Sequence, residues 1–318
     1  MSDGGLLISV VVCTYNRVDW LNNALTSLCN QDFPVTDYEI LVVDNNSSDG
    51  TKALVEDFMG KHANIRYFLE EKQGVSHTRT RGCMEAFGEY IGCIDDDAKA
   101  PPEWLAVAKT IIKTRRPAAF GGPYYAFYLT PKPDWFKDEY ESRTPIPEAR
   151  NLVGDEALYG ANLFVRNDVI RAVGGFDPSL GMTGNTIGYG EEPAMIRMVR
   201  KVFPDEHVYY DPKLFVYHLV RPHKMKVSWY LRERFVGGRD MYRVMTKRKR
   251  VAKIQLLKNI SKTLFMLLKQ IVQAICFRDR ARYPFYQNHL YDHAFKSLLL
   301  LGGQYEQLCE WKYMKGKE

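Results

Sequence analysis

The sequence lacks the cysteine pattern of a disulfide-stabilised or zinc-binding protein. Its 318 residues include six cysteines, with no Cys-x-x-Cys pair and no zinc-type spacing among them. Disulfides concentrate in small secreted proteins, and structural zinc sites use closely spaced cysteine pairs. We therefore expect reduced thiols in a cytoplasmic protein.

Long apolar runs are missing as well. No stretch approaches the ~18 consecutive apolar residues that predict a membrane-spanning helix. The residues before Leu6 are few and polar, so the N-terminus does not resemble an export signal. The sequence therefore predicts neither a signal peptide nor a transmembrane helix.

Strand-like and helix-like patterns alternate through the first hundred residues. Apolar runs predict buried strands, and apolar residues at helical spacing predict the helices between them. The predicted strands cover residues 7–12, 38–43, 65–69 and 90–94, and the predicted helices cover residues 19–28, 51–59 and 75–87. This alternation is typical of an α/β fold with a mostly parallel central sheet and helices on both faces.

Polar residues follow three of these predicted strands. Residues 14–16 follow the first strand, residues 44–45 the second, and residues 95–97 the fourth. Open parallel sheets bind ligands at the carboxyl ends of their strands. We therefore expect the three polar clusters to meet at one edge of the sheet and form a binding site.

The consecutive carboxylates of Asp95, Asp96 and Asp97 are the sharpest of these signals. Like charges repel, and burial next to a strand adds a desolvation cost. A bound Mg²⁺ or Mn²⁺ would remove the conflict, because hard oxygen ligands suit these cations, which also bind the diphosphate of a nucleotide. The alternative is a solvated acidic turn that caps a helix starting near Pro101.

Five sequence blocks together resemble the family 2 glycosyltransferases. They are residues 11–17, 41–51, 74–82, 95–97, and residues 174–177 with 190–192. Thr-Arg-Thr-Arg-Gly at residues 78–82 is similar to the family's Ala-Arg-Asn-x-Gly, and residues 95–97 stand in the place of its Asp-x-Asp. The resemblance implies the GT-A fold and an inverting, metal-dependent hexosyl transfer from a nucleotide sugar, expected to be a UDP-sugar, in polysaccharide biosynthesis of the cell envelope.

The resemblance also implies roles in a nucleotide-sugar site. Thr14 and Tyr15 would contact the nucleoside, and Asp44 would accept a hydrogen bond from the base. Arg79 would lie near the base or the diphosphate, the alternative being an arginine on a helix surface. The other candidates for this site are Asn16, Arg17, Asn46, Asp95 and Asp96.

A metal site is implied at the same edge. Asp95 would approach the ribose or the sugar and also face the metal, and Asp97 would ligate the metal. Asp96 occupies the family's variable position. His218 would complete the metal site or touch the diphosphate, and the alternative is a structural histidine at the end of a strand.

Inverting transfer needs a base that takes the proton of the acceptor hydroxyl. Family members often have Glu-Asp at the base position, with the second residue acting, and here the pair is Glu191 and Glu192. This departure adds one methylene group. We favour Glu192 as the base and keep Glu191 as the alternative. Carboxylates favoured by the dipole of a helix N-terminus are the other interpretation.

The chain is expected to have two parts. Residues 1–222 would form the GT-A catalytic domain, with a nucleotide-binding half at about 1–118 and an acceptor half at about 119–222. Residues 223–318 would form a basic helical region, consistent with the dense Lys and Arg content of residues 224–282.

A basic amphipathic helix is predicted at residues 256–275, with Lys247, Arg248, Lys249 and Arg250 upstream. One face carries Leu257, Ile260, Leu264, Leu268, Ile271 and Ile275. Such a helix either contacts the inner face of the cytoplasmic membrane or packs on the catalytic domain with a solvated lysine face. Nucleic acid is not expected, because no recognised binding motif accompanies the charges.

The resemblance implies a nucleotide-sugar donor and a glycan or polyprenyl-linked acceptor as partners. Two other functions remain open. A sugar nucleotidyltransferase would show a glycine- and arginine-rich signature near the N-terminus, which residues 13–17 lack. A non-catalytic GT-A protein would bind nucleotide without turnover, and the presence of Asp95, Asp97, Glu191 and Glu192 counts against it.

Overall fold

The computed structural model describes residues 5–143, 146–244 and 251–315. The chain divides into two compact units. The first unit comprises Met1–Phe127, Asp138–Asn185 and Glu191–Leu219, and the second comprises Tyr128–Lys137, Thr186–Gly190 and Val220–Glu318.

The strands of the first unit begin as the sequence predicts. The predicted strands at residues 7–12, 38–43, 65–69 and 90–94 correspond to the first four observed strands and are confirmed. The strands found in the described residues are β1 (Ile8–Thr14), β2 (Tyr38–Asp44), β3 (Ile65–Leu69), β4 (Tyr90–Asp95), β5 (Ala98–Lys99), β6 (Ala119–Gly121), β7 (Tyr124–Phe127), β8 (Arg150–Asn151), β9 (Leu163–Arg166), β10 (Val208–Tyr210) and β11 (Val216–Leu219).

The first three helices also match their predicted positions to within a few residues. The helices in the described part of the chain are α1 (Val18–Cys29), α2 (Thr51–Lys61), α3 (Val75–Glu85), α4 (Trp104–Arg115), α5 (Asn167–Val173), α6 (Glu191–Val202), α7 (Val227–Val244), α8 (Lys253–Cys276), α9 (Tyr286–His289) and α10 (Phe295–Lys315).

An eight-stranded sheet forms the centre of the first unit, in the order β3-β2-β1-β4-β9-β6-β10-β8. Strands β3, β2, β1 and β4 are parallel to one another. Strand β9 lies antiparallel between β4 and β6, and β6 pairs in parallel with β10. The expected α/β fold with a mostly parallel central sheet is therefore confirmed.

The core of this unit has two layers, one on each face of the sheet. Val10 and Val12 of β1 pack in a layer with α1 and α4, whereas Val11 between them packs with α3, α5 and α6. Successive residues of a strand point to opposite faces, so a strand buried on both faces must be apolar at every position. This explains why β1 and β2 appear in the sequence as uninterrupted apolar runs.

A second, three-stranded sheet has the order β5-β11-β7. Strand β11 is parallel to β7 and antiparallel to β5, and the pairing sets His218 opposite Ala98. The Leu219 amide also donates a 2.8 Å hydrogen bond to the Asp97 carbonyl oxygen. This small sheet therefore brings the end of β4 and the histidine of β11 together.

The second unit is mostly helical. Helix α10 packs against both α7 and α8, and the stacked rings of Tyr230 and Phe295 have centroids 5.5 Å apart. The buried side chains of α8 include Leu256, Thr263 and Ala274. Among the residues that the structure describes, no helix is long and apolar enough to cross a bilayer. The basic residues 247–250 lie outside the described residues.

Helix α8 does not bury the apolar face that the sequence singles out. Leu257, Leu264, Leu268 and Ile275 are all exposed, and Ile260 and Ile271 are half-buried. The other helices of the second unit therefore do not cover these four residues. Periodicity shows that a helix has an apolar face but does not show whether that face is covered.

We predict that Gly82→Ala lowers the free energy of unfolding by about 1–3 kcal/mol, because the inner face of α3 lies against β1 with no room for a methyl group. A Cβ atom at Gly82 would overlap the Val11 side chain and lie 3.1 Å from Val43 Cγ2. Urea unfolding followed by circular dichroism would measure the loss.

The matched control is Gly60→Ala in α2, where nothing lies within 4 Å of the added Cβ atom. Alanine is preferred over glycine inside a helix by about 1 kcal/mol, so this substitution should leave stability unchanged or raise it. Equal effects of the two substitutions would contradict the close approach of α3 to β1.

Candidate active site

The polar clusters that follow β1, β2 and β4 lie side by side. In the strand register Thr14 is opposite Asp44, and Cys13 is opposite Asp95. The three strands are parallel neighbours, so their carboxyl ends fall on one edge of the sheet. The structure therefore brings the three clusters together as the sequence predicts.

The loops after β1 and β2 are joined by hydrogen bonds. The Asn16 amide donates to Ser47 Oγ at 2.8 Å, and the Ser48 amide donates to Asn16 Oδ1 at 2.7 Å. Asn16 and Asn46 have φ values of 52° and 64°. Asparagine tolerates this left-handed conformation better than most side chains do. The two loops thus form one structure at the sheet edge.

Asp44 is buried at the start of the second loop. Its Oδ1 accepts a hydrogen bond from the Ser47 amide, and its Oδ2 accepts one from the Tyr67 hydroxyl, both at 2.9 Å. Burial and the bond to Asp44 raise the pKa of Tyr67. Nearby, Tyr15 is half-buried and Asn46 is exposed. The carboxylate of Asp44 is therefore held in a fixed position.

Sequence reasoning missed the part played by Asn45. Its buried side chain donates to the Glu70 and Lys72 carbonyl oxygens at 2.9 and 2.8 Å and accepts from the Gly74 amide at 2.7 Å. Asn45 thereby fixes the chain that leads into α3. Its position among the polar residues that follow β2 was the available signal, but its partners are about 25 residues away in sequence.

Arg17 forms an ion pair with the buried Asp96 beside this edge. Arg17 Nη1 lies 2.8 Å from Asp96 Oδ1, and the Asp96 side chain is only 1% exposed. Burial and the nearby Asp97 raise the pKa of Asp96 to about 6, against the opposing effect of Arg17. Burial alone would lower the pKa of Arg17, but Asp96 and Asp97 raise it above its usual value.

Arg79 of α3 bonds to three carboxylates. Its Nη1 donates to Glu191 Oε1 at 2.8 Å and to Glu192 Oε1 at 2.9 Å, and its Nη2 donates to Asp95 Oδ1 at 3.2 Å. Burial would lower the pKa of Arg79, but the two glutamates and Asp95 raise it well above its usual value. The residue is 5% exposed, so the alternative of a helix-surface arginine is wrong.

Glu191 and Glu192 are the first two residues of α6. Burial and the adjacent Glu192 raise the pKa of Glu191 to about 8, although Arg79 opposes the shift. Glu192 Oε1 also accepts a hydrogen bond from the Gly160 amide at 3.1 Å. The pair therefore holds one carboxyl that keeps its proton at neutral pH beside one that is fixed by two donors.

Gly160 is another contributor that sequence reasoning missed. A Cβ atom at this position would overlap both Glu192 and Arg79, so only glycine allows the backbone to come this close. The small residues Gly160 and Ala161 just before β9 were the available signal.

Asp95, Asp97 and His218 form a candidate metal centre. Each offers one ligand atom, and these atoms all lie within 4.8 Å of one another. His218 Nε2 is 3.2 Å from Asp97 Oδ1 and 3.6 Å from Asp95 Oδ2. Burial would raise the pKa of Asp95, but His218 and Arg79 lower it. The two carboxylates supply the hard oxygen ligands that suit Mn²⁺ or Mg²⁺, so this site fits the expected cation.

The alternative of a solvated acidic turn is wrong. Asp96 and Asp97 are 1% and 4% exposed. Strand β5 follows them directly, and the next helix starts at Trp104 with Glu103 as its N-cap. These carboxylates are therefore buried at the sheet edge and do not cap α4.

We predict that the raised pKa of Glu191 makes the fold less stable as the pH rises. The folded protein keeps this proton up to about pH 8, whereas the unfolded chain releases it near a pKa of ~4.3. The contribution of Glu191 to the free energy of unfolding is therefore fully present below the unfolded-state pKa. It declines as the pH rises to about 8, by up to about 1.4 kcal/mol per pH unit. Urea unfolding across this range should show a flatter profile for Glu191→Gln.

Glu71→Gln is the control, because Glu71 is exposed and its loss should leave the wild-type pH profile in place. If the unfolding free energy of Glu191→Gln depended on pH as steeply as that of wild type, the proton would be held by another group.

The chain resembles known glycosyltransferases. The model of glycosyl transferase family 2 matches residues 9–170. A glucosyl-dolichyl phosphate glucuronosyltransferase of Haloferax volcanii is 26% identical over 238 residues, which cover 73% of this chain and 75% of that protein.

Two solved structures have a similar fold. The mannosyltransferase PcManGT from Pyrobaculum calidifontis, in complex with GDP-Man and Mn²⁺, aligns with a TM-score of 0.64 and 15% identity over 95% of this chain and 86% of that chain. TarS 1–349 of S. aureus, in complex with UDP-GlcNAc, aligns with a TM-score of 0.57 and 19% identity over 98% of this chain and 92% of that chain.

The match to the family model spans half of this chain, and the two solved structures support the fold. A sugar nucleotidyltransferase and a non-catalytic nucleotide-binding protein are not favoured by these similarities. The chain belongs to glycosyl transferase family 2, has the GT-A fold and is a glycosyltransferase.

Proposed function

We propose that the protein transfers a sugar from a UDP-sugar to a glycan or lipid-linked acceptor, with inversion at the anomeric carbon and with the help of a divalent cation. One observation carries this proposal. Arg79 joins the Glu191–Glu192 pair to Asp95, whose carboxylate lies beside Asp97 and His218. A glutamate pair that can supply the catalytic base and a candidate cation site lie within one cluster. This arrangement suits the transfer of a sugar away from a diphosphate.

In this proposal the donor occupies the edge formed by the ends of β1, β2 and β4. The residues proposed to bind it are Thr14, Tyr15, Asn16, Arg17, Asp44, Asn46, Arg79, Asp95 and Asp96. The base is proposed to be uracil, and the UDP-GlcNAc complex of TarS supports this choice. PcManGT is in complex with GDP-Man, so GDP is the first competitor to compare with UDP.

Asp95, Asp97 and His218 are proposed to hold Mn²⁺ or Mg²⁺. The spacing of their ligand atoms and the Mn²⁺ in the PcManGT complex support this assignment. A bound divalent cation would supply positive charge that stabilises the leaving nucleoside diphosphate.

Glu192 is proposed to be the base. It would accept the proton of the acceptor hydroxyl while that oxygen forms a bond to the anomeric carbon. The bond from this carbon to the diphosphate oxygen would break, with its electron pair leaving on the nucleoside diphosphate. The raised pKa of Glu191 supports this division of roles, because a protonated Glu191 cannot accept the proton.

The acceptor is proposed to be a glycan or a polyprenyl-linked sugar, with the transfer taking place in the cytoplasm. The similarity to a protein that acts on a glucosyl-dolichyl phosphate supports a lipid-linked acceptor.

We predict that UDP binds more tightly than GDP, CDP or dTDP when Mn²⁺ is present, and that EDTA abolishes binding. Asp97→Asn should weaken UDP binding by about a hundredfold or more, because it removes a ligand charge from the cation site. Titration calorimetry with each nucleotide measures both effects.

Asp37→Asn is the matched control for Asp97→Asn. Asp37 lies just before β2, at the opposite end of that strand from Asp44, and pairs with Lys109 at 3.2 Å. The Asp37→Asn variant should bind nucleotides as wild type does. Folded wild-type protein that binds none of the four nucleotides would refute the donor site.

We predict that Glu192→Gln lowers kcat by about 10²–10⁴-fold, because the amide cannot accept the proton. The affinity for UDP and Mn²⁺ should remain, since the amide oxygen can still accept from Arg79 and Gly160. Steady-state kinetics with a sugar-transfer assay would measure the loss.

Glu191→Gln is the companion variant and should retain most of the kcat, because the neutral amide resembles the protonated acid in shape and charge. A larger loss of kcat in Glu191→Gln than in Glu192→Gln would assign the base to Glu191 instead.

A further inference from the structure

Helix α8 of the second unit exposes an apolar stripe along its length. Leu257, Leu264, Leu268 and Ile275 are 44%, 48%, 60% and 57% exposed. With 100° per residue, these four side chains lie within about 40° of one another around the helix axis. Single exposed apolar residues are common on proteins, but a continuous patch of them marks an interaction surface.

Aromatic and further aliphatic side chains widen this stripe. Ile254, Phe265 and Val272 are 69%, 70% and 42% exposed and lie on one border of the stripe. Phe277, directly after the helix, is 77% exposed. The buried residues Leu256, Thr263 and Ala274 lie about 100–120° around the helix axis from the centre of the stripe. The stripe is therefore on a different face of α8 from the residues that the helix buries.

The charges on α8 have one sign. Lys253, Lys258, Lys262 and Lys269 are exposed, and the 24 residues of the helix contain no Asp or Glu. Lys258, Lys262 and Lys269 follow one border of the apolar stripe, within about 40° of one another around the axis. Lysine at such a border can rest its aliphatic stem on an apolar phase and reach a polar headgroup with its ammonium.

We propose that α8 docks on a bilayer surface that contains anionic lipids, with its axis in the plane of the headgroups and its apolar stripe in the acyl boundary. The 24-residue helix is about 36 Å long, and its stripe and its lysines run over most of that length. An apolar face bordered by lysines is the pattern of helices that lie in the membrane interface.

A second copy of this chain is a poorer occupant. Two α8 helices that met through their stripes would bring their lysine borders close together. Neither helix has a carboxylate to neutralise them. Like charges at such an interface oppose association, whereas an anionic lipid surface attracts every one of these lysines.

Flotation of the full chain with vesicles tests this proposal. The protein should float with mixed phosphatidylglycerol and phosphatidylcholine vesicles, float much less with phosphatidylcholine alone, and lose binding in high salt because salt screens the lysines. No nucleotide, cation or acceptor is needed, so the result does not depend on the proposed transfer reaction.

Two variants separate the apolar and charged contributions. Leu268→Asp should weaken vesicle binding by about tenfold or more, because it replaces a leucine that would enter the acyl boundary with a charged side chain. The triple substitution Lys258→Gln, Lys262→Gln and Lys269→Gln should weaken binding to anionic vesicles by about fivefold for each lysine. All four positions are exposed, so the circular dichroism spectrum and the Tm should match those of wild type.

Val153→Asp is the matched control, because Val153 in the first unit is 66% exposed and lies outside α8. It should bind vesicles as wild type does. Equal loss in Val153→Asp and Leu268→Asp, or no preference for anionic vesicles, would overturn the proposal. So would self-association in lipid-free buffer that Leu268→Asp abolishes, since the stripe would then belong to a protein interface.

Discussion

The guanidinium of Arg79 allows three carboxylates to lie close together in one place. Glu191, Glu192 and Asp95 come from the start of α6 and the end of β4, and each bonds to this one side chain. Without its charge, their repulsion and desolvation would oppose the packing of α6 against the sheet edge. Gly160 belongs to the same arrangement, because a side chain there would displace both Arg79 and Glu192.

The charges around Arg79 also place the neighbouring carboxyl groups in different electrostatic environments. One positive charge does not neutralise three carboxylates. Burial and the adjacent Glu192 raise the pKa of Glu191, the more buried of the two glutamates, so that it keeps its proton. A second pair, Arg17 with Asp96, offsets charge on the other side of the acidic run. Asp95 and Asp97 remain close to His218, where a cation would complete the balance. The acidic run is thus a set of carboxylates with different partners.

The strands and the meeting of polar clusters could be predicted because they follow from local patterns. A strand buried on both faces is apolar at every position, and neighbouring parallel strands end together. The roles of Asn45, Gly160 and Arg79 depend on partners far away in the sequence, which no local pattern reveals. The amphipathic pattern of α8 was likewise visible, but only packing decides that Leu256 is covered and Leu268 is exposed.

The hydrogen bonds between the loops after β1 and β2 have a consequence for ligand affinity. Asn16, Ser47 and Ser48 hold these loops in place by contacts within the protein itself. The conformational entropy of these loops is therefore lost when the chain folds and need not be lost again when a ligand arrives. A preformed cradle of this kind favours tight binding of ligands of one shape over adaptation to many shapes.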